Sequence, residues 1–116
     1  VNIFTADLAA TTAFFTDVLG LTVGARPAFP FPGAWLYAGG KDVVHLVEVA
    51  KARGPSAEAA LDHFAFDISD YDTARARVAA SGLEFREIDV PGTGVRQIFV
   101  RDGNGVAIEL NWKPVR

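Results

Sequence analysis

Three side chains in this sequence have the chemistry of a metal site. His45, His63 and Glu109 each stand in a run of alternating apolar residues, so each is predicted to project from a β-strand. A carboxylate between Ile108 and Leu110 rarely stays buried without a partner, whereas either histidine alone is more often a hydrogen-bonded structural residue. Imidazole and carboxylate groups together suit one divalent ion such as Zn, Ni, Fe, Mn or Co. We therefore interpret the three residues as candidate ligands, with the metal's identity open.

The elements that carry these residues are predicted from apolar periodicity, helix caps and glycines, and they give the order βαβββ twice. Asp7 and Asp70 are predicted N-caps, and Gly20 and Gly82 are predicted helix stops. The predicted strands are 1–5, 21–26, 34–38, 42–49, 62–69, 85–90, 96–100 and 106–112, with helices at 8–19 and 71–81. We predict an α+β fold in which two tandem βαβββ modules form a curved mixed-sheet cup with helices on its outer face. Residues 1–116 are interpreted as a single domain with module one at 1–49, a connector at 50–61 and module two at 62–116.

The two predicted modules share one register, which indicates an internal duplication. Matched residues recur at nearly one offset: Asp7 and Asp70 are 63 apart, Gly20 and Gly82 are 62 apart, and His45 and Glu109 are 64 apart. His45 and Glu109 are thus at equivalent places on the fourth strand of each module, so a pseudo-two-fold axis is expected to bring them opposite one another. The counterpart of His63 falls just before Val1, where a fourth ligand is expected.

The sheet face that carries the candidate ligands is predicted to be polar and aromatic, whereas the opposite face is apolar and suited to packing under the helices. Further predicted substrate-binding residues on the polar face are Trp35, Tyr37, Gln97, Phe99 and Asn111. The aromatic members could instead belong to the core, and the amides could be simply solvated. Arg96 is expected near the rim of the cavity, as a candidate for anion binding.

Composition limits the partners that we expect. The formal net charge is −3 with no basic cluster, which argues against nucleic acid as a partner. Apolar runs are strand-sized, which argues against a membrane partner, and the chain has no cysteine, which fits a cytoplasmic location. A small-molecule substrate is the expected partner. A homodimer is also expected, because exposed sheet edges would otherwise stay unpaired.

The sequence resembles the vicinal oxygen chelate superfamily, which includes glyoxalase I, methylmalonyl-CoA epimerase, fosfomycin- and bleomycin-resistance proteins and extradiol dioxygenases. The resemblance covers essentially the whole chain and is carried by residues 13–21 (AFFTDVLGL), 62–66 (DHFAF) and 99–110 (FVRDGNGVAIEL). His63 and Glu109 match family ligand positions. His45 stands where glyoxalase I has glutamate and the epimerase glutamine, and Gly103 replaces a usual proline.

The resemblance implies a metal-dependent enzyme that chelates neighbouring oxygens of a small substrate. With His45 as a ligand, glyoxalase-type isomerase, lyase or epimerase chemistry is expected, with Glu109 as general base. With His45 outside the ligand set, a two-His-one-carboxylate triad suits an extradiol Fe(II) dioxygenase, and His45 would be a general acid or base. A metal-free, ligand-sequestering resistance protein is a further alternative. A thiol transferase of the fosfomycin type has no specific support in the sequence.

Overall fold

The computed structural model describes residues 1–114, so the predicted end of module two at residues 115–116 lies outside the described part. The strands are β1 (Asn2–Thr5), β2 (Thr22–Gly24), β3 (Gly33–Ala38), β4 (Lys41–Glu48), β5 (His63–Ile68), β6 (Phe85–Asp89), β7 (Arg96–Arg101) and β8 (Ala107–Trp112). The two α-helices are α1 (Leu8–Ala13) and α2 (Tyr71–Ala80). The predicted α+β fold of two βαβββ modules is confirmed. The connector contains one 3-10 turn, Ser56–Glu58.

Both helices begin where the sequence predicts. The Asp7 side chain accepts from the backbone N–H of Ala10 at 3.0 Å, and the Asp70 side chain accepts from the N–H of Thr73 at 3.1 Å. The first helix differs from prediction in its second half. It continues from α1 as a π-helical turn, Phe14–Val18, whose wider backbone lets the successive rings of Phe14 and Phe15 both reach the core.

The modules have the same sheet topology. The strand orders are β1-β4-β3-β2 and β5-β8-β7-β6, and in each sheet the first pair is parallel and the others are antiparallel. Within residues 1–114 no strand pairing joins the two sheets, so β1 and β5 each keep an edge without a strand partner. The backbone N–H and C=O groups along these edges of β1 and β5 are open to pairing with a further strand or chain.

The apolar core lies between the sheets and the helices and draws on both modules. Its fully buried members include Phe15, Leu36, Val44, Leu46, Val78, Ile98 and Ile108. Arg96 is on this helix side of β7, where its guanidinium stacks on the Tyr71 ring at 3.8 Å. The expectation that Arg96 lines the cavity rim is therefore wrong, because side chains alternate along a strand and Arg96 shares the side of Ile98. No helix in the described part is long and apolar enough to cross a membrane.

A buried polar network joins the two modules. Asn104, in the β7–β8 turn, contacts the hydroxyls of Thr5 at 2.9 Å and Thr11 at 3.0 Å, and these two hydroxyls are 2.8 Å apart. Asp102, which is also buried, accepts from the Asn104 backbone N–H at 2.9 Å and from its side chain at 3.1 Å. Because buried polar groups are costly without partners, this network fixes the hairpin of module two against β1 and α1.

Candidate metal-binding site

An imidazole and a carboxylate meet on the open face of the second sheet. β5 runs parallel to β8, with His63 beside Ala107 and Ala65 beside Glu109, so the two functional side chains project from one face two residues apart. His63 Nε2 is 3.3 Å from Glu109 Oε1. The Glu109 side chain is only 12% exposed and that of His63 is 40% exposed, so the pair opens to one side.

A second carboxylate fixes the orientation of His63. The Nδ1 atom of His63 is 2.7 Å from Asp62 Oδ2, so this nitrogen donates to Asp62 and Nε2 is directed toward Glu109. The hydrogen bond that His63 donates to Asp62 is the main cause that raises the pKa of His63, with a further contribution from Glu109. A carboxylate on the far nitrogen is the usual support of a metal-bound histidine, because it fixes the tautomer and the ring orientation.

His45 has a similar carboxylate partner on the first sheet. Its ring lies parallel to Trp35, with centroids 3.8 Å apart, and its Nε2 donates to Asp42 at 2.6 Å. This hydrogen bond holds the pKa of Asp42 below its usual value. Residues three apart on a strand normally face opposite sides, but a bulge between β3 and β4 leaves Val43 as an extra residue and returns Asp42 to the face of His45.

The three predicted ligands do not meet within one chain. His63 and Glu109 form a pair in module two, whereas the described partners of His45 are Trp35 and Asp42 in module one. Among residues 1–114 there is no group of three or more His, Cys, Asp or Glu side chains placed to share a metal ion. The candidate residues thus form two separate clusters, one on each sheet, which we call the candidate half-sites.

The predicted substrate-binding residues divide between the same two faces. In module two, the Phe99 ring is edge-on to His63 with centroids 5.8 Å apart, and Gln97 donates to Asn111 at 2.9 Å. All three are on the face of Glu109, because Phe99 pairs with Glu109 and Gln97 with Asn111 across the β7–β8 ladder. In module one, Trp35 stacks on His45, and the Tyr37 hydroxyl donates to the Ala25 carbonyl at 2.6 Å.

Several residues at the two half-sites were missed by the sequence reasoning. A hollow of about 720 Å³ is lined in part by Asp62, His63, Arg86 and Phe99. The Arg86 guanidinium lies over the Phe99 ring at 5.2 Å. The direct adjacency of Asp62 to His63 was an available signal. Nothing in the sequence indicated that Asp42 contacts His45, because the orientation of Asp42 depends on the bulge.

The chain is thus a two-module βαβββ protein with an imidazole–carboxylate pair on the open face of its second sheet. It belongs to the Glyoxalase/Bleomycin resistance protein/Dioxygenase superfamily, whose family model matches residues 1–110. This finding confirms the family that the sequence segments indicate.

Individual relatives also match nearly the whole chain. The chain is 30% identical over 117 aligned positions to the uncharacterized protein YaeR of Escherichia coli (strain K12), with 95% of this chain and 91% of the relative covered. Two solved structures share the fold. The fosfomycin resistance protein FosX from Listeria monocytogenes has a TM-score of 0.77 at 19% identity, covering 99% of this chain and 91% of its own. The lactoylglutathione lyase from Agrobacterium tumefaciens has a TM-score of 0.70 at 20% identity, with coverages of 97% and 90%.

Members of this superfamily often bind divalent metals, and the chemistry of His63 and Glu109 fits such an ion. The His63 imidazole, held by Asp62, and the nearly buried Glu109 carboxylate are nitrogen and oxygen donors of the type that mid-series divalent ions accept. Within residues 1–114 this pair is not joined by a third such donor, so a complete donor set needs groups from elsewhere.

Proposed function

We propose that this protein is a divalent-metal-dependent enzyme that acts on a small molecule with neighbouring oxygens, with isomerase or lyase chemistry of the glyoxalase type. The observation that carries the proposal is the chain of contacts from Asp62 through His63 to Glu109, at 2.7 Å and 3.3 Å. It is the arrangement expected of a metal ligand with its supporting carboxylate.

The site is proposed to form between two copies of the chain. The half-site of module two needs further donors, and the module-one half-site with His45 lies on a separate sheet. A groove of about 360 Å³ runs between β1 and β5, beside their unpaired edges. Val1, Phe4 and Leu61 line it and are 46%, 41% and 63% exposed. A homodimer that covers this groove would bury apolar surface and face module one of each copy toward module two of the other.

In this proposal the residues have separate tasks. His63 and Glu109 would hold the metal ion, which would act as a Lewis acid on neighbouring substrate oxygens. Glu109 would also accept a proton from the carbon beside those oxygens, as general base. His45 of the second copy, oriented by Asp42 and Trp35, would either add a ligand or return the proton. Trp35, Tyr37, Gln97, Phe99 and Asn111 would line the space for substrate.

The experiment reconstitutes chelator-treated protein with Zn, Ni, Fe, Mn or Co singly and measures two activities. We expect metal-dependent turnover of methylglyoxal–thiol adducts, and loss of it in His63→Ala and Glu109→Gln. Glu84→Gln, at an exposed carboxylate on the edge of the same hollow, is the matched control and is expected to keep activity. Oxygen uptake with catechols only in the Fe(II) form would replace the lyase assignment with a dioxygenase. Equal activity after complete metal removal would contradict the proposal.

The same variants define the role of His45. If His45 is a ligand, His45→Ala weakens metal binding. If it transfers a proton, the variant keeps full metal content and loses turnover. A stable, metal-free protein whose melting is unchanged by added cations would instead favour a ligand-sequestering protein.

A further inference from the structure

The turn between β7 and β8 contains Asn104-Gly105, the single place in the chain where an asparagine precedes a glycine. In such a pair the backbone nitrogen of the glycine can attack the side-chain carbon of the asparagine, because glycine has no Cβ to hinder the approach. The other two asparagines, Asn2 and Asn111, precede isoleucine and tryptophan, whose side chains crowd this approach. Asn104 is therefore the asparagine most open to deamidation once its turn is free to move.

The folded turn holds both reacting groups in other contacts. The two hydrogens of Asn104 Nδ2 are donated to Thr11 at 3.0 Å and to Asp102 at 3.1 Å. Asn104 Oδ1 accepts from the Thr5 hydroxyl at 2.9 Å. The backbone N–H of Gly105, the group that would attack, is donated to the Asp102 carbonyl at 3.1 Å. The three partner residues are at most 5% exposed, so water does not readily replace these bonds.

The structure requires both residues of the pair, although their sequence is reactive. Asn104 joins module two to module one through the buried polar network. Gly105 has a φ of +82°, and a Cβ there would meet the Cβ of Pro55 at 2.8 Å. The Gly105 carbonyl also accepts from the backbone N–H of Ser56 in the connector at 3.2 Å. The contact between the modules and the position of the connector thus both depend on this pair.

We propose that Asn104 is a deamidation site that the folded protein holds closed, and that its conversion releases the contact between the two modules irreversibly. In the first step the Gly105 nitrogen loses its proton to solvent and bonds to Asn104 Cγ, the Cγ–Nδ2 bond breaks, and ammonia leaves. Water then opens the resulting succinimide to aspartate or isoaspartate at position 104. Water is the only other reactant, so the proposal is independent of the proposed function.

The product cannot rebuild the network. An aspartate has no hydrogen to donate to Thr11, and it puts a second negative charge beside the Asp102 carboxylate that Nδ2 contacted at 3.1 Å. Like charges in a buried position repel each other. Isoaspartate instead lengthens the backbone of a turn in which the N–H groups of Gly105 and Val106 are both bonded to Asp102. A temporary opening of the turn would thereby become a permanent loss of the contact between the modules.

The first test incubates the full chain at mildly alkaline pH, either folded or unfolded in guanidinium chloride, and follows deamidation by peptide mass spectrometry. Asn104 is expected to react at least about 10-fold more slowly in the folded protein, because only the locally opened fraction can cyclise. Asn2 and Asn111 are internal controls in the same samples and are expected to react far more slowly than Asn104 in the unfolded chain. Equal rates at Asn104 in the two states, or a faster reaction at either control, would overturn the proposal.

Two variants separate protection by the network from protection by overall stability. Thr11→Val removes an acceptor of Asn104 Nδ2, whereas Gly33→Ala acts at β3, outside the network. The variants are compared in the folded state at urea concentrations that give them equal free energies of unfolding. Thr11→Val is expected to deamidate several-fold faster, because it loosens the reacting side chain itself. Equal rates under these conditions would contradict the role of the network.

The consequence of the reaction is tested by comparing Asn104→Asp with Asn104→Ala. Both variants lose the Nδ2 donor, but only Asn104→Asp adds a charge beside Asp102. A urea midpoint below that of Asn104→Ala, or failure to fold where Asn104→Ala folds, supports the proposal. Protein that has deamidated while unfolded is expected to show a lowered midpoint after return to buffer. Recovery of the wild-type midpoint by that protein, or a wild-type midpoint for Asn104→Asp, would overturn the proposal.

Discussion

Removing the Asn104 side chain tests how the two modules are held together. In Asn104→Ala, hydrogen bonds to Thr5, Thr11 and Asp102 at 2.9, 3.0 and 3.1 Å are lost. Each is worth about 1 kcal/mol net, and the Thr5 and Thr11 hydroxyls still bond to each other at 2.8 Å, so neither is left fully without a partner. We expect a loss of about 2–3 kcal/mol in the free energy of unfolding and a decrease in Tm of roughly 8–12 °C.

Urea denaturation at a fixed protein concentration measures this loss as a change in midpoint at constant slope. Asn2→Ala, at an exposed asparagine on β1, is the control and should change stability by less than about 0.5 kcal/mol. A double-mutant cycle with Thr11→Val should give a coupling of at least about 0.5 kcal/mol. A loss below about 1 kcal/mol for Asn104→Ala, or no coupling, would refute the view that this network fixes the module arrangement.

The remaining predictions concern the metal half-site and the packing of β3. Asp62→Asn should weaken divalent-metal binding about 10- to 100-fold, measured by competition with a chromophoric chelator, while Asp67→Asn, on the strand that begins directly after Asp62, should not. Metal affinity should fall as pH decreases through the raised pKa of His63, because a proton competes with the metal ion for Nε2. Asp62→Asn should move the pH midpoint of this fall downward. A midpoint that does not move would contradict the contribution of Asp62 to the pKa of His63. Gly33→Ala should destabilise by about 1–3 kcal/mol in the same urea assay, since its Cβ would overlap a backbone carbonyl, whereas Gly103→Ala, with open space and an ordinary φ, should be nearly neutral.

Much of the fold could be predicted because its signals are local. Asp7 and Asp70 cap helices through their own side chains, and Gly20 and Gly82 adopt positive φ at the helix ends, at 76° and 74°. The π-helical turn at Phe14–Val18 could not be predicted, because the apolar spacing there is also compatible with an α-helix. Signals between residues close in the sequence thus predict the helices and strands and their order.

The site was predicted less completely because it depends on contacts between distant elements. The pairing of His63 with Glu109 follows from the β5–β8 ladder, which joins residues about 45 positions apart in the sequence. The expected convergence of His45 with this pair left open whether the cup closes within one chain or across a dimer. Within residues 1–114 the modules are held through the Asn104 network and the helices, which no periodic pattern reveals.

The most direct test of the metal assignment is the metal content of the purified protein after equilibrium dialysis against one cation, measured by mass spectrometry with the oligomer mass in parallel. We expect about one ion per chain in a dimer of wild-type protein. We also expect loss of the ion in both His63→Ala and Glu109→Gln, with retention in Glu84→Gln. Full occupancy in either ligand variant, or a folded wild-type dimer that takes up no divalent cation, would contradict it.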